Sequence, residues 1–338
     1  MGIEAAHVPP DHVRAEPARA TADPPPEETV RSWFDDLSNW GRWGPDDTLG
    51  TLNHITPQLR AAAARGVEHG RAVSCAWDIT PGQSAEEHSA PQRWMYRTGL
   101  GFADEPAPGP PRMRDGCMGT ASEFISMVFH GRTITHLDAL SHVFWNGRMY
   151  NGVPSSYVTD RDGATVHDVR TVSGGIQGRG VLLDIPRVRG VDALEPGAPV
   201  HPADLVAAEQ AQGVRVGTGD LLLVRTGDGL LRREGRWRPA ENGQAGLHAS
   251  CLPWLHERSV ALLGSCGPQD VLPSGYGIYL PVHAVAIVAM GLWLVDNCQL
   301  EDLAATCAEL GRWEFLLTVN PLRLTGVTGG PVNPVALL

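Results

Sequence analysis

The segment Thr133-Ile134-Thr135-His136-Leu137-Asp138-Ala139-Leu140-Ser141-His142 places three titratable groups within seven residues, directly after His130-Gly131 and the apolar run Phe124–Phe129. If His136 to Asp138 is extended, the two-residue period of a strand puts imidazole and carboxylate on one face, as chelation of a divalent cation requires. His142 then stands just beyond the pair, where a neutral imidazole can take a proton from water and return it to a leaving group. A hydrogen-bonded His–Asp pair in a turn fits the same residues, because His-x-Asp alone is common. Support lies far along the chain, where Pro281-Val282-His283 opens an apolar run and Asp296 follows thirteen residues after His283. His283 also reads as a core histidine, and Asp296 as the cap of a helix starting near Leu300.

Other chemistries lack their residues. No strand leads into GxGxxG or GxxxxGK[ST], and GxSxG is missing, so nucleotide cradles and the usual serine-hydrolase elbow are unsupported. All 27 basic residues are Arg, which excludes Schiff-base chemistry and a lysine general base. Cys266, in Gly264-Ser265-Cys266-Gly267, is either a thiol nucleophile or a buried free cysteine, the commoner case.

These groups need a scaffold, and apolar β-rich runs at Phe124–Phe129, Val181–Ile185, Leu221–Val224, Val260–Leu263 and Phe315–Val319 supply candidate buried strands. Helical spacing appears in Thr56–Arg65, Pro202–Gln212, Leu280–Met290 and Leu300–Leu310, with Pro202 and Pro281 suited to first turns. Interleaved strands and helices predict an α/β class with a mixed central sheet. No repeat or composition break divides the chain after Val30, so one domain over 30–338 is expected, behind a mobile Pro-rich tail, Met1–Thr29. Ala103–Gly116, dense in Pro and Gly, reads as a surface loop.

The 338 residues, 42% hydrophobic and 19% charged, suffice for a full core, and the formal charge of −11 disfavours nucleic acid and anionic lipid as partners. Six cysteines without a CxxC pair read as free thiols. With no run long enough to span a membrane, the expectation is a soluble cytoplasmic protein.

Several motifs in order carry a resemblance over nearly the whole chain: Trp43-Gly44-Pro45-Asp46-Asp47 with Leu49-Gly50-Thr51-Leu52-Asn53, the Thr135–Ala139 core with His142, and Tyr150-Asn151-Gly152. They continue with Gly219-Asp220-Leu221-Leu222-Leu223-Val224-Arg225-Thr226-Gly227 and end with Thr328-Gly329-Gly330-Pro331-Val332-Asn333-Pro334. The chain resembles the cyclase family whose best-known members are bacterial kynurenine formamidase and isatin hydrolase. The resemblance implies a swivelling β/β/α fold, a homodimer or larger assembly, and a motif HxGTHxDxPxH in which the first His, second His and Asp bind metal while the last His is the acid/base. Laid on this chain, the second His is His136, the Asp is Asp138 and the last His is His142, with His283 and Asp296 completing the ligand set. The first His is replaced by Arg132, the Gly by Ile134 and the Pro by Leu140. An arginine is always protonated and cannot bind a cation, and His130 can replace the lost ligand only if the strand bulges.

One divalent ion, Mn²⁺ or Zn²⁺, is therefore expected on His136, Asp138, His283 and Asp296, where it would lower the pKa of water toward ~7 and polarise a carbonyl. The implied reaction is cleavage or closure of an amide, formamide, lactam or lactone in a small molecule. Trp94, Tyr96, Phe144, Trp145 and Tyr150 flank the motif and are candidates to line an apolar pocket for an aromatic or secondary-metabolite substrate. Two alternatives stay open: a metal-free lyase or cyclase using His142 with Arg132 as an oxyanion or carboxylate clamp, and a non-catalytic binding protein on the same fold.

Overall fold

The Val-, Leu- and Ile-rich runs in the middle of the chain assemble, in a computed structural model that describes residues 24–82, 90–99 and 119–338, into one nine-stranded mixed sheet. The sheet and the hairpin beside it use β1 (Ala72–Ser74), β2 (Gln92–Arg97), β3 (Ser122–Ser126), β4 (His136–Asp138), β5 (Ile176–Asp184), β6 (Leu221–Arg225), β7 (Leu262–Ser265), β8 (Trp293–Asp296), β9 (Glu314–Val319), β10 (Gly329–Pro331) and β11 (Val335–Leu337). The sheet order is β1-β11-β9-β5-β6-β7-β8-β4-β10. The central strands β5, β6, β7 and β8 run parallel, and the flanking pairs are antiparallel. Every residue of β6, β7 and β8 is buried, as near-continuous apolar runs in a parallel sheet covered on both faces demand.

Helices α1 (Glu27–Asp36), α2 (Pro57–Arg65), α3 (Pro202–Gln212), α4 (Pro281–His283) and α5 (Glu301–Leu310) surround this centre. α2 lies against β5 and β9, α3 against β5, and α5 against β1. Proline occupies the first turn of α2, α3 and α4, where its missing N–H costs no intrahelical bond. α4 continues as a π-helix, Ala284–Met290, whose seven residues are all buried. The end of the parallel layer is cross-linked by Arg225, which binds Asp184 at the end of β5 at 2.8 Å and Glu301 at the start of α5 at 2.5 Å.

The α/β class and the mixed central sheet of a single domain agree with expectation. The strand expected at Phe124–Phe129 is a correction. It is shortened to Ser122–Ser126, pairs only with β2 outside the main sheet, and leaves Phe124 and Ile125 about half exposed, at 49% and 53%. α1 begins at Glu27, ahead of the expected start at Val30. The rest of the expected tail up to residue 23, and the Ala103–Gly116 loop, lie outside the described residues. Cys75, Cys251, Cys266, Cys298 and Cys307 are free and buried, while Cys117 is also outside the described residues.

Candidate metal centre

β4 is three residues long and is held between β8 and β10, with Asp296 opposite His136 and Leu294 opposite Asp138 on one side, and Pro331 and Gly329 opposite the same two residues on the other. Residues two apart and cross-strand partners share a face, so this register sets His136, Asp138 and Asp296 together. His136 and Asp138 are thus extended, as their spacing requires, and His136 Nε2 lies 3.5 Å from Asp138 Oδ1. Asp296 belongs to the end of β8 and does not cap α5, whose N-cap is Leu300. His283 arrives from α4 and points Nε2 between two carboxylates, 3.6 Å from Asp138 Oδ2 and 3.2 Å from Asp296 Oδ2.

His130 also reaches the centre, with Nδ1 2.9 Å from Asp138 Oδ1. No strand bulge brings it there. Residues 131–134 leave the strand as a turn, and Asn297, itself at a positive φ of 56°, clamps that turn by donating from Nδ2 to the carbonyls of Gly131 at 2.8 Å and Ile134 at 3.0 Å. The ring then lies against β10, where a Cβ at Gly329 would come within 2.8 Å of His130 Cε1. His142 stacks on His130 with ring centroids 3.7 Å apart and planes 5° from parallel, and its Nε2 is 3.9 Å from Asp138 Oδ1.

Asp138 has no exposed surface, and neither carboxylate oxygen makes a hydrogen bond. His130 Nδ1 is likewise without one, because at 2.9 Å its direction is wrong for an N–H donating to the carboxylate. Asp138 and His130 Nδ1 thus converge without bonding, as donors of a ligand shell do, while His283 Nε2 lies within hydrogen-bond distance of Asp296 Oδ2 at 3.2 Å. Two sets of donor atoms lie within 4.8 Å of one another, His130 with Asp138 and His142, and His136 with Asp138 and Asp296, sharing Asp138. Orphaned buried oxygens and mixed imidazole and carboxylate donors, with no thiolate among them, fit a divalent cation.

Three of the four histidines are anchored on the ring nitrogen that faces away from Asp138. His136 Nδ1 donates to the Ile134 carbonyl at 2.8 Å, His283 Nδ1 to Asp270 at 2.8 Å, and His130 Nε2 hydrogen-bonds the Thr328 hydroxyl at 3.1 Å. The acceptor-only carbonyl and carboxylate place a proton on Nδ1 of His136 and His283, whereas the Thr328 hydroxyl, which donates or accepts, orients the His130 ring. The His142 ring has no hydrogen bond among the described residues and is 28% exposed. Burial alone would raise the Asp138 pKa, but His142, His130, His283 and His136 hold it well below the usual carboxylate range. Burial pulls His142 down to about 4, leaving it neutral at physiological pH. Burial opposes charge on His283 too, yet Asp296, Asp138 and Asp270 together raise it well above an ordinary histidine.

The remaining expected residues are dispersed. Arg132 sits in the clamped turn and donates from Nη2 to the Tyr279 hydroxyl at 3.4 Å. Trp94 stacks on Phe124 across the β2–β3 hairpin at 4.6 Å, and Tyr96 on the same strand is 77% exposed. Phe144 is partly exposed; Trp145 stacks on Phe34 of α1 at 4.1 Å. Tyr150 is wholly buried and donates to Asp47 at 3.0 Å, a packing role that ties the Trp43–Asn53 region to the core. Cys266 is buried with its thiol pushed up to about 11 by desolvation, so it is protonated and no nucleophile. Sequence reasoning missed Asp270, Gln269 and Asn297. The cue was their place, since Gly267-Pro268 and Asn297 follow the carboxyl ends of apolar parallel strands, where open α/β sheets hold their ligands.

A family model described as "Putative cyclase" matches residues 36–266. A crystal structure described as a novel cyclase is 32% identical, with a TM-score of 0.78, over 90% of this chain and 99% of its own. Isatin hydrolase A from Labrenzia aggregata, bound to benzyl benzoate, is 19% identical with a TM-score of 0.55 over 82% of this chain and 97% of its own. Isatin hydrolase A from Ralstonia solanacearum is 21% identical with a TM-score of 0.54 over 83% and 96%. At those identities the two hydrolases share the fold. No curated protein matches the chain.

Proposed function

The chain belongs to the cyclase family, and from that premise we propose that it is a divalent-metal-dependent enzyme that opens or closes a carbonyl–heteroatom bond, an amide, formamide, lactam or lactone, in a small molecule. One observation carries the reading: the buried Asp138 carboxylate, without a hydrogen bond, faced by four imidazoles at 2.9–3.9 Å. A carboxylate held ionised in a dry interior needs compensating charge, and a cation among the imidazole nitrogens would supply it, displacing the proton that Asp296, Asp138 and Asp270 favour on His283.

His136, Asp138, His283 and Asp296 would hold the ion, with His130 in the place of the ligand that Arg132 cannot be. A bound Mn²⁺ or Zn²⁺ supplies a Lewis acid for the substrate carbonyl and acidifies water. His142 is assigned the proton. It is neutral, unanchored and partly exposed, so it accepts at Nε2 and delivers to the leaving nitrogen or oxygen, while its stack on His130 keeps the ring in plane. Arg132, at the outer turn, is assigned to an anionic group of the substrate. Ring closure passes through the same tetrahedral intermediate in reverse, so hydrolase and cyclase differ in substrate and water access. An aromatic or secondary-metabolite substrate belongs to this reading. So does a homodimer or larger assembly, which the exposed ribbon of Trp94, Tyr96, Phe124 and Ile125 supports. Among the described residues no helix is long and apolar enough to cross a membrane.

Metal analysis after exhaustive dialysis, paired with turnover of a formamide, lactam and lactone panel, tests the proposal. About one ion per chain, lost together with turnover in Asp138→Ala, is expected. Full turnover by metal-free protein would transfer the assignment to a lyase using His142 and Arg132. No turnover, with ligand-induced thermal stabilisation alone, would make it a binding protein.

A further inference from the structure

The loop leaving the carboxyl end of β7 carries Gln269 and Asp270, both buried, and neither has a part in the reaction steps above. Each reaches a different member of the centre. Gln269 Nε2 donates to Asp296 Oδ1 at 2.9 Å and to the Val295 carbonyl at 3.0 Å, which leaves Asp296 Oδ2 as the oxygen facing His283 Nε2. Asp270 Oδ1 accepts from the Val282 N–H at 2.6 Å, and its Oδ2 accepts both the backbone N–H of His283 at 3.1 Å and the ring Nδ1–H at 2.8 Å. One carboxylate therefore starts α4 and sets the ring that α4 carries. An imidazole whose Nδ1 donates outward presents Nε2 inward, and only that nitrogen faces Asp138 and Asp296.

The loop is itself fixed. The Leu247 N–H donates to the Gln269 carbonyl at 2.7 Å, the Val271 N–H to the Leu247 carbonyl at 3.0 Å, and the Asn297 N–H to the Gly267 carbonyl at 3.1 Å. A Cβ at Gly246 would collide with the Asp270 backbone, so glycine there is what lets the loop lie this close. Residues anchored on rigid backbone and bonded to the outward side of ligands are what orient a metal shell.

We infer that Gln269 and Asp270 form a positioning pair for the centre, Asp270 fixing the ligating nitrogen of His283 and Gln269 selecting the inward oxygen of Asp296. This rests on reading the centre as a cation site. In Asp270→Leu the volume is kept but both acceptors are lost, so the ring proton has no partner at Nδ1, while Asp296 Oδ2 at 3.2 Å draws it to Nε2, the nitrogen needed for ligation.

The test uses the full-length protein freed of metal by chelation, titrated calorimetrically with Zn²⁺ or Mn²⁺ alone. Proton–nitrogen NMR of the same samples distinguishes Nδ1–H from Nε2–H of the His283 ring, assigned by their loss in His283→Gln. Asp270→Leu should weaken cation binding by about 10–100-fold, Gln269→Met should weaken it less, and His142→Ala should leave it unchanged. The slowly exchanging His283 Nδ1–H should be present in the wild type and absent from Asp270→Leu. Undiminished cation affinity in Asp270→Leu overturns the inference. If the wild type takes up no cation, the cation reading itself falls, and the Nδ1–H resonance then decides: its persistence in Asp270→Leu overturns the positioning role, and its loss supports it. Should Asp270→Leu not fold, Gln269→Met carries the test, with unchanged affinity overturning the pair.

Discussion

His136 and His142 lie six positions apart around the same carboxylate, yet their surroundings assign them different work. His136 is buried with Nδ1 tied to the Ile134 carbonyl, so its Nε2 is fixed and bare, whereas His142 is partly exposed and its ring is held only by stacking on His130. His142→Ala should lower turnover by roughly 10²–10⁴-fold while the ion stays, because a positioned acid/base group is lost and the ligands are intact. His136→Ala should lose ion and turnover together. Metal content and kcat measured on the same preparations separate the two, and equal metal loss in both variants would end the division of roles.

At the scale of elements, the turn 131–134 decides whether His130 can join the centre. Asn297 holds that turn through two carbonyls from a position at the end of β8, in a left-handed conformation that Asn tolerates better than most residues. Asn297→Ala should cost about 1–3 kcal/mol, since the buried Ile134 carbonyl and the partly buried Gly131 carbonyl lose their donor, and should weaken cation binding by loosening His130. Urea denaturation and calorimetry on the same variant check both parts. Gly329→Ala acts on the same ring from the other side. Its methyl would stand 2.8 Å from His130 Cε1 and closer still to the Leu137 carbonyl oxygen, so the β4–β10 pairing must shift along with the ring, and reduced cation affinity together with lower stability is expected.

Over the whole molecule, the Asp184–Arg225–Glu301 cluster joins β5, β6 and α5 with side chains only 5%, 10% and 9% exposed. Arg225→Met would leave two buried carboxylates without their cation and should cost about 3–5 kcal/mol, read as a lower denaturation midpoint. Stability should also depend on pH in a defined sense. Burial pulls His54 and His248 down to about 4 from 6.5, so the folded state holds them neutral while the unfolded chain binds protons from about pH 6.5 downward. Their contribution is complete above pH 6.5 and is lost progressively as pH falls toward 4. The melting temperature should therefore drop between pH 7 and 5, and a flat or rising profile there would rule this out.

Local chemistry was readable wherever it depended on neighbours in the chain. The His136/Asp138 face follows from the two-residue period of a strand, the first-turn prolines 202 and 281 from a fixed φ and a missing N–H, and the buried strands from runs such as Leu221–Val224. His283 and Asp296 were identified as residues, but their meeting depends on the register that sets Asp296 opposite His136 and on the approach of α4, neither of which has a sequence period. His130 could not be placed from spacing, because a turn clamped by a residue 167 positions away carries it to Asp138. Tyr150 and Trp145 looked like pocket aromatics, and packing against Asp47 and Phe34 gave them to the core and to α1. Residue type and short-range periodicity therefore suffice to say which groups could ligate or move a proton. Which ring nitrogens of His136 and His283 carry the proton depends instead on the Ile134 carbonyl and Asp270, whose positions are set by strand pairing and loop closure, contacts with no period along the chain.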